Sequence, residues 1–150
     1  MSFWKFFLGN KKHEQREKQE LAHLDVVQDA MVKTMAAVAY ADGNVDNDEI
    51  KRMGQIYNKV TGNHVETSAI RSGIQIALES KKPIESVLAG LTGELEPTDK
   101  ANIIHAGALI ALANDVFDDS EASTLRKAAD AMGVGPESFK RIIERAKNPN

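Results

Sequence analysis

The sequence predicts an all-α protein, a single-domain bundle of about seven to eight helices. Three observations carry this. Apolar residues recur at steps of three and four through most of the chain, and no segment alternates apolar and polar residues at strand period over a useful length. The periodic stretches are punctuated by helix-starting aspartates and prolines and by helix-ending glycines. A stretch also repeats: Ala39–Glu49 returns as Ala111–Glu121 at a constant offset of 72 positions. The length of 150 residues suits one domain with a real core.

Residues 1–20 form an aromatic and basic tip followed by the polar start of the first helix, and residues 21–147 form the helical domain. The first helix runs from Glu14 to Ala41, with Leu24, Val27, Met31, Thr34/Met35, Val38 and Ala41 on its apolar stripe. Asp42-Gly43 stops it, since glycine takes the left-handed conformation at little cost. Asp46 starts the second helix, and Glu49, three residues on, completes a capping box. Ile50, Met53, Ile56/Tyr57 and Val60 make its stripe, and Thr61-Gly62-Asn63 ends it. The third helix spans Glu66–Ser80 with Ile70, Ile74 and Ala77/Leu78 inward, and Lys81-Lys82 complement the dipole at its end. Pro83 opens a short helix through Leu91.

After a break at Gly93–Pro97, Thr98 or Asp99 caps a helix to Ala113 that is apolar on nearly all sides, the mark of a central buried helix. Ala106, Gly107, Ala108 and Ala111 permit close approach to a neighbour, and His105 reads as a core or edge histidine rather than a ligand. Asp118 and Glu121 repeat the capping box, and Glu121–Met132 buries Leu125, Ala128/Ala129 and Met132 before Gly133. Pro136 opens the last helix, with Phe139, Ile142, Ile143 and Ala146 inward. The repeat predicts two helix–acidic corner–helix units related by an approximate two-fold, with the first helix packed centrally against Ala101–Ala113.

Composition excludes several functions. With no cysteine there is no disulfide, thiolate metal site or thiol redox chemistry, and a reducing compartment fits. His13, His23, His64 and His105 are scattered and form no His-x-x-x-His pair, so a zinc enzyme is not expected. A net charge of −3 argues against general nucleic-acid binding. The most apolar run, Ala106–Ala113, falls far short of the ~20 residues a bilayer needs. The N-terminus lacks a signal-peptide pattern, so a cytoplasmic protein is expected. Neither a nucleophile–base pair nor a glycine-rich phosphate loop is present, which leaves an enzyme reading without support and calls for no organic cofactor.

Two features remain. The first is the pair of acidic corners. Asp42, Asp46, Asp48 and Glu49 cluster in one, Asp115, Asp118, Asp119 and Glu121 in the other, and neither copy holds a basic residue. Clustered carboxylates on short loops suit hard divalent cations, calcium first among them. The spacing is no EF-hand: counting from Asp42, Asn47 stands where the loop glycine belongs and Met53 where the bidentate glutamate belongs. The competing reading is helix capping. It accounts for Asp46, Glu49, Asp118 and Glu121, and accounts less well for Asp42, Asp48, Asp115 and Asp119, whose like charges repel. The second feature is Phe3, Trp4, Phe6 and Phe7, half of the aromatic residues, beside Lys5. Residues 1–20 carry +2 and the remainder −5. This tip either folds back onto the body, docks on a membrane surface or partner groove, or stays a free tail.

The corners resemble those of the TerB family of tellurite-resistance proteins. Ala39-Tyr-Ala-Asp42-Gly43-Asn-Val45-Asp46-Asn-Asp48-Glu49-Ile50 and Ala111-Leu-Ala-Asn-Asp115-Val-Phe117-Asp118-Asp119-Ser-Glu121 are similar to the family's A-x-A-D-G-x-(V/F)-x-x-x-E. Ala128-Ala-Asp-Ala-Met-Gly133-Val-Gly-Pro136-Glu-Ser-Phe139 is similar to its ending, and the second corner departs in having Asn114-Asp115 for Asp-Gly. The resemblance implies an all-helical pseudo-repeat with a metal-binding acidic surface. It also implies a role in tellurite resistance and stress response, within an assembly of other proteins at the inner face of the cytoplasmic membrane. Tellurite is a dianion that carboxylates repel, and a chain without thiols cannot reduce it, so direct detoxification is not expected. The expected function is a non-catalytic, divalent-cation-binding interaction module. The alternative is a metal-independent adaptor or membrane-surface scaffold whose acids only cap helices.

Overall fold

The computed structural model describes residues 23, 25–39, 46–113 and 117–148. Among these residues all regular structure is helical, in seven α-helices and one 3-10 turn. We label them α1 (residues 25–39), α2 (Asn47–Thr61), α3 (Thr67–Ser80), α4 (Ile84–Leu91), α5 (Pro97–Leu112), α6 (Asp119–Ala131) and α7 (Pro136–Lys147); the 3-10 turn is Thr92–Glu94.

The core is built around α1 and α5. Along α1, Val27, Ala30, Met31, Val32, Met35, Ala36, Val38 and Ala39 are all buried. Thr34 is buried among them because its hydroxyl donates to the Ala30 carbonyl at 2.7 Å, which removes the cost of an unsatisfied polar group. In α5, Ile103, Ile104, Ala106, Gly107, Ala108, Ile110 and Ala111 are buried, and between them only His105 and Leu109 are partly open. The two helices meet at Gly107. A side-chain carbon there would lie 3.5 Å from Thr34 Cγ2, 3.7 Å from Val38 Cγ2 and only 2.6 Å from Leu125 Cδ1 of α6. Glycine is thus required by close approach of three helices rather than by backbone conformation.

The outer helices lie against this centre. α2, α6 and α7 pack on α5, α4 packs on α6, and α3 packs on α2. α3 also reaches α1, where a side-chain carbon on Gly73 would lie 3.0 Å from Val32 Cγ1. Ile70 and Ile74 are buried as expected, whereas Leu78 is 54% exposed. Ile70, Gly73, Ile74 and Ala77 lie on one stripe toward α1 and α2, and Leu78 is rotated off it.

The helix ends follow local chemistry with two corrections. Gly62 closes α2 in the left-handed conformation at φ 77°, and Gly133 follows α6 at φ 75°. α5 is capped by Glu96, and neither Thr98 nor Asp99 is the cap, because Pro97 takes the first helical position and shifts the start upstream. Asp99 then sits at the third helical position, where its carboxylate accepts from the Glu96 N–H at 2.9 Å. The same oxygen lies 3.0 Å from His23 Nε2, which joins the start of α1 to the start of α5. α6 begins at Asp119, two residues ahead of the expected Glu121, since a cap at Asp118 makes the next residue helical.

Candidate functional site: two acidic helix starts

Both corners end in the same local device. Asp46 is extended at φ −96° and ψ 177°, and its Oδ1 accepts from the Glu49 N–H at 2.9 Å. Asp118 is extended at φ −77° and ψ 169°, and its Oδ1 accepts from the Glu121 N–H at 2.8 Å. The second corner closes the box fully, with Glu121 Oε1 accepting from the Asp118 N–H at 3.4 Å. Helix starts leave N–H groups without intrahelical partners and carry partial positive charge, so a carboxylate there gains a hydrogen bond and a favourable field.

The acids then divide by exposure. Glu121 is only 1% exposed, and the Oε2 atoms of both Glu121 and Glu49 are shielded from water. These two glutamates turn inward, behind the caps. Asp46, Asp48 and Asp119 face solvent, and Asp118 is half-buried. Asn47 receives a hydrogen bond from Arg71 Nη2 of α3 at 2.8 Å, which places a cation beside the first corner that its own sequence does not contain. Asp42 and Asp115 lie outside the described residues, as do Phe3, Trp4, Phe6 and Phe7.

Among the described residues no group of three or more His, Cys, Asp or Glu side chains is arranged to hold a metal ion. Asp46 and Asp118 each direct an oxygen to a backbone N–H of their own helix. The described part of each corner is therefore a capped helix start with one further exposed aspartate, Asp48 or Asp119. A cation cage would need Asp42 and Asp115 to complete it.

His105 of α5 is half-buried, as a core or edge histidine should be. Burial holds its pKa below the ordinary 6.5, and the charges of Arg145 and Lys59 add to the effect. Among the described residues no helix is long and apolar enough to cross a membrane.

One further feature has no counterpart in the sequence patterns. α6 and α7 enclose an open groove of about 840 Å³, with Phe117, Val134, Phe139 and Ile143 among its apolar lining. Arg126 lies over the Phe139 ring at 5.8 Å, and Lys147 over the Phe117 ring at the same distance. Periodicity assigns Phe139 and Ile143 to the inner face of α7. They are half-buried, while Ile142 and Ala146 go to the core. A helical stripe gives the direction of its side chains and not how closely they are covered, so no sequence signal marks the groove beyond these two residues at the stripe's edge.

A family model described as Tellurite resistance protein TerB matches residues 28–144. No curated protein and no solved structure matches the chain.

Proposed function

This chain belongs to the TerB family of tellurite-resistance proteins, and from that premise we propose that it is a non-catalytic interaction module whose acidic corners respond to divalent cations. The observation that supports this reading is the pairing of a cap with an exposed neighbour at both helix starts. Asp46 and Asp118 are engaged by backbone N–H groups, which leaves Asp48 and Asp119 exposed with no capping bond to explain them. Together with Asp42 and Asp115 they are the ligands we assign to a hard cation, calcium first, with carbonyl oxygens of the corners completing its shell. The work of such a module is recognition of other proteins in a cytoplasmic resistance or stress assembly, at or near the membrane face.

A second reading rests on a specific observation. Capping alone assigns a role to Asp46, Asp118 and Glu121, and the module then works as a metal-independent adaptor or membrane-surface scaffold. An amide-resolved NMR titration with calcium, magnesium, manganese and zinc separates the two. The cation reading expects saturable shifts at 42–49 and 115–121, lost in Asp48→Asn and Asp119→Asn while helicity is unchanged. No shift at millimolar metal would overturn it and leave the capping reading.

A further inference from the structure

The groove between α6 and α7 is an apolar surface that the cation reading does not use. Phe117, Phe139 and Ile143 are each half-buried along it, and its volume of about 840 Å³ lies within the ~300–1,000 Å³ typical of sites that bury a ligand. Its charges balance: Arg126, Lys140 and Lys147 stand against Asp119, Asp130 and Glu144. Such a rim selects no strongly charged partner and gives no basic face for an anionic membrane. It suits an aromatic segment of low charge.

The chain itself contains one. Met1–Leu8 carries Phe3, Trp4, Phe6 and Phe7 with Lys5 as its sole charged side chain. We propose that the α6–α7 groove seats this N-terminal segment, with its aromatic rings against Phe117, Phe139 and Ile143. This inference stands independently of the cation reading.

Reach and concentration both favour the chain's own segment over a second copy. The described chain begins at His23, held against Asp99 at the start of α5. With residues 14–22 helical, as their pattern predicts, that stretch adds about 13 Å and residues 9–13 up to about 17 Å, together about twice the ~15 Å radius of gyration of a domain of this size. Tethering also gives an effective concentration in the millimolar range, so modest contacts suffice for occupancy. A partner that takes the groove must then displace the segment, which makes the segment a competitor built into the chain.

Trp4 is the single tryptophan, so its fluorescence reports the segment directly. Acrylamide quenching of the full chain is measured over a range of protein concentrations, with free N-acetyltryptophanamide as reference. Shielding of Trp4 by several-fold, independent of concentration, is expected. Ser123→Arg places a bulky group in the groove from an exposed position and leaves the core alone. It should return quenching to the reference value at unchanged helicity, and Phe6→Ser with Phe7→Ser should do the same. Three results would overturn the proposal: a wild-type Trp4 quenched as freely as the reference, shielding that survives Ser123→Arg, or shielding lost on dilution, which would assign the groove to a second copy.

Discussion

Single side chains in this protein are decided by what lies within one turn of them and by the closest neighbour across a helix contact. Asp118 shows the first. Its carboxylate accepts from the Glu121 N–H, and Asp118→Ala should lower stability by about 1–2 kcal/mol, whereas Asp118→Asn should cost a few tenths because asparagine caps equally well. Urea unfolding of both variants tests this, and equal losses would show that charge and not capping is the contribution. Gly107 shows the second. In an exposed helix Gly→Ala gains up to about 1 kcal/mol. Here the added carbon meets Leu125 Cδ1 at 2.6 Å, and Leu125 is fully buried with little room to yield. Gly107→Ala should therefore be destabilising by about 1–3 kcal/mol. A variant more stable than wild type would mean that Leu125 moves aside freely.

Among the helices, boundaries follow capping and backbone rules that depend on a few neighbouring residues. α3 is the exception that tests them. It ends at Lys81 with φ 55°, a left-handed conformation that costs a side-chain-bearing residue about 1 kcal/mol and glycine almost nothing. Lys81→Gly should raise the unfolding midpoint by a corresponding amount, and an unchanged or lower midpoint would show that the lysine's interaction with the helix dipole outweighs the backbone term. The start of α5 is a junction rather than an isolated cap. Asp99 serves the Glu96 N–H and His23 at once, so its replacement by alanine removes a cap and a tie to α1 together.

For the molecule as a whole, His105 links the packing of α5 to pH. Its folded pKa is depressed by burial, with Arg145 of α7 and Lys59 of α2 opposing protonation. The unfolded chain therefore binds a proton more readily than the folded one. The stability that neutral His105 contributes is complete above its ordinary value of 6.5 and is lost as pH falls through the lower folded value. Urea midpoints should decline from about pH 7.5 toward about pH 5 more steeply in wild type than in His105→Gln. Parallel curves would remove His105 from the account.

The all-helical class, nearly every boundary from α2 to α7, the stripes that fill the core and both capping aspartates are legible in the chain without its fold. Each depends on contacts within about four residues, and the identities of those residues are enough to state them. Even the central place of α5 follows, because a helix apolar on nearly all sides has nowhere to lie but the centre. Other features exist only once the helices are assembled. A periodic stripe says that Phe139 and Ile143 face apolar surroundings, and says nothing of whether those surroundings are a closed core or an open groove. Arg71 beside Asn47, and Asp99 beside His23, join residues far apart in the chain. Such pairings depend on how the helices are set against one another, which is fixed by the summed packing of all their faces and by no local pattern.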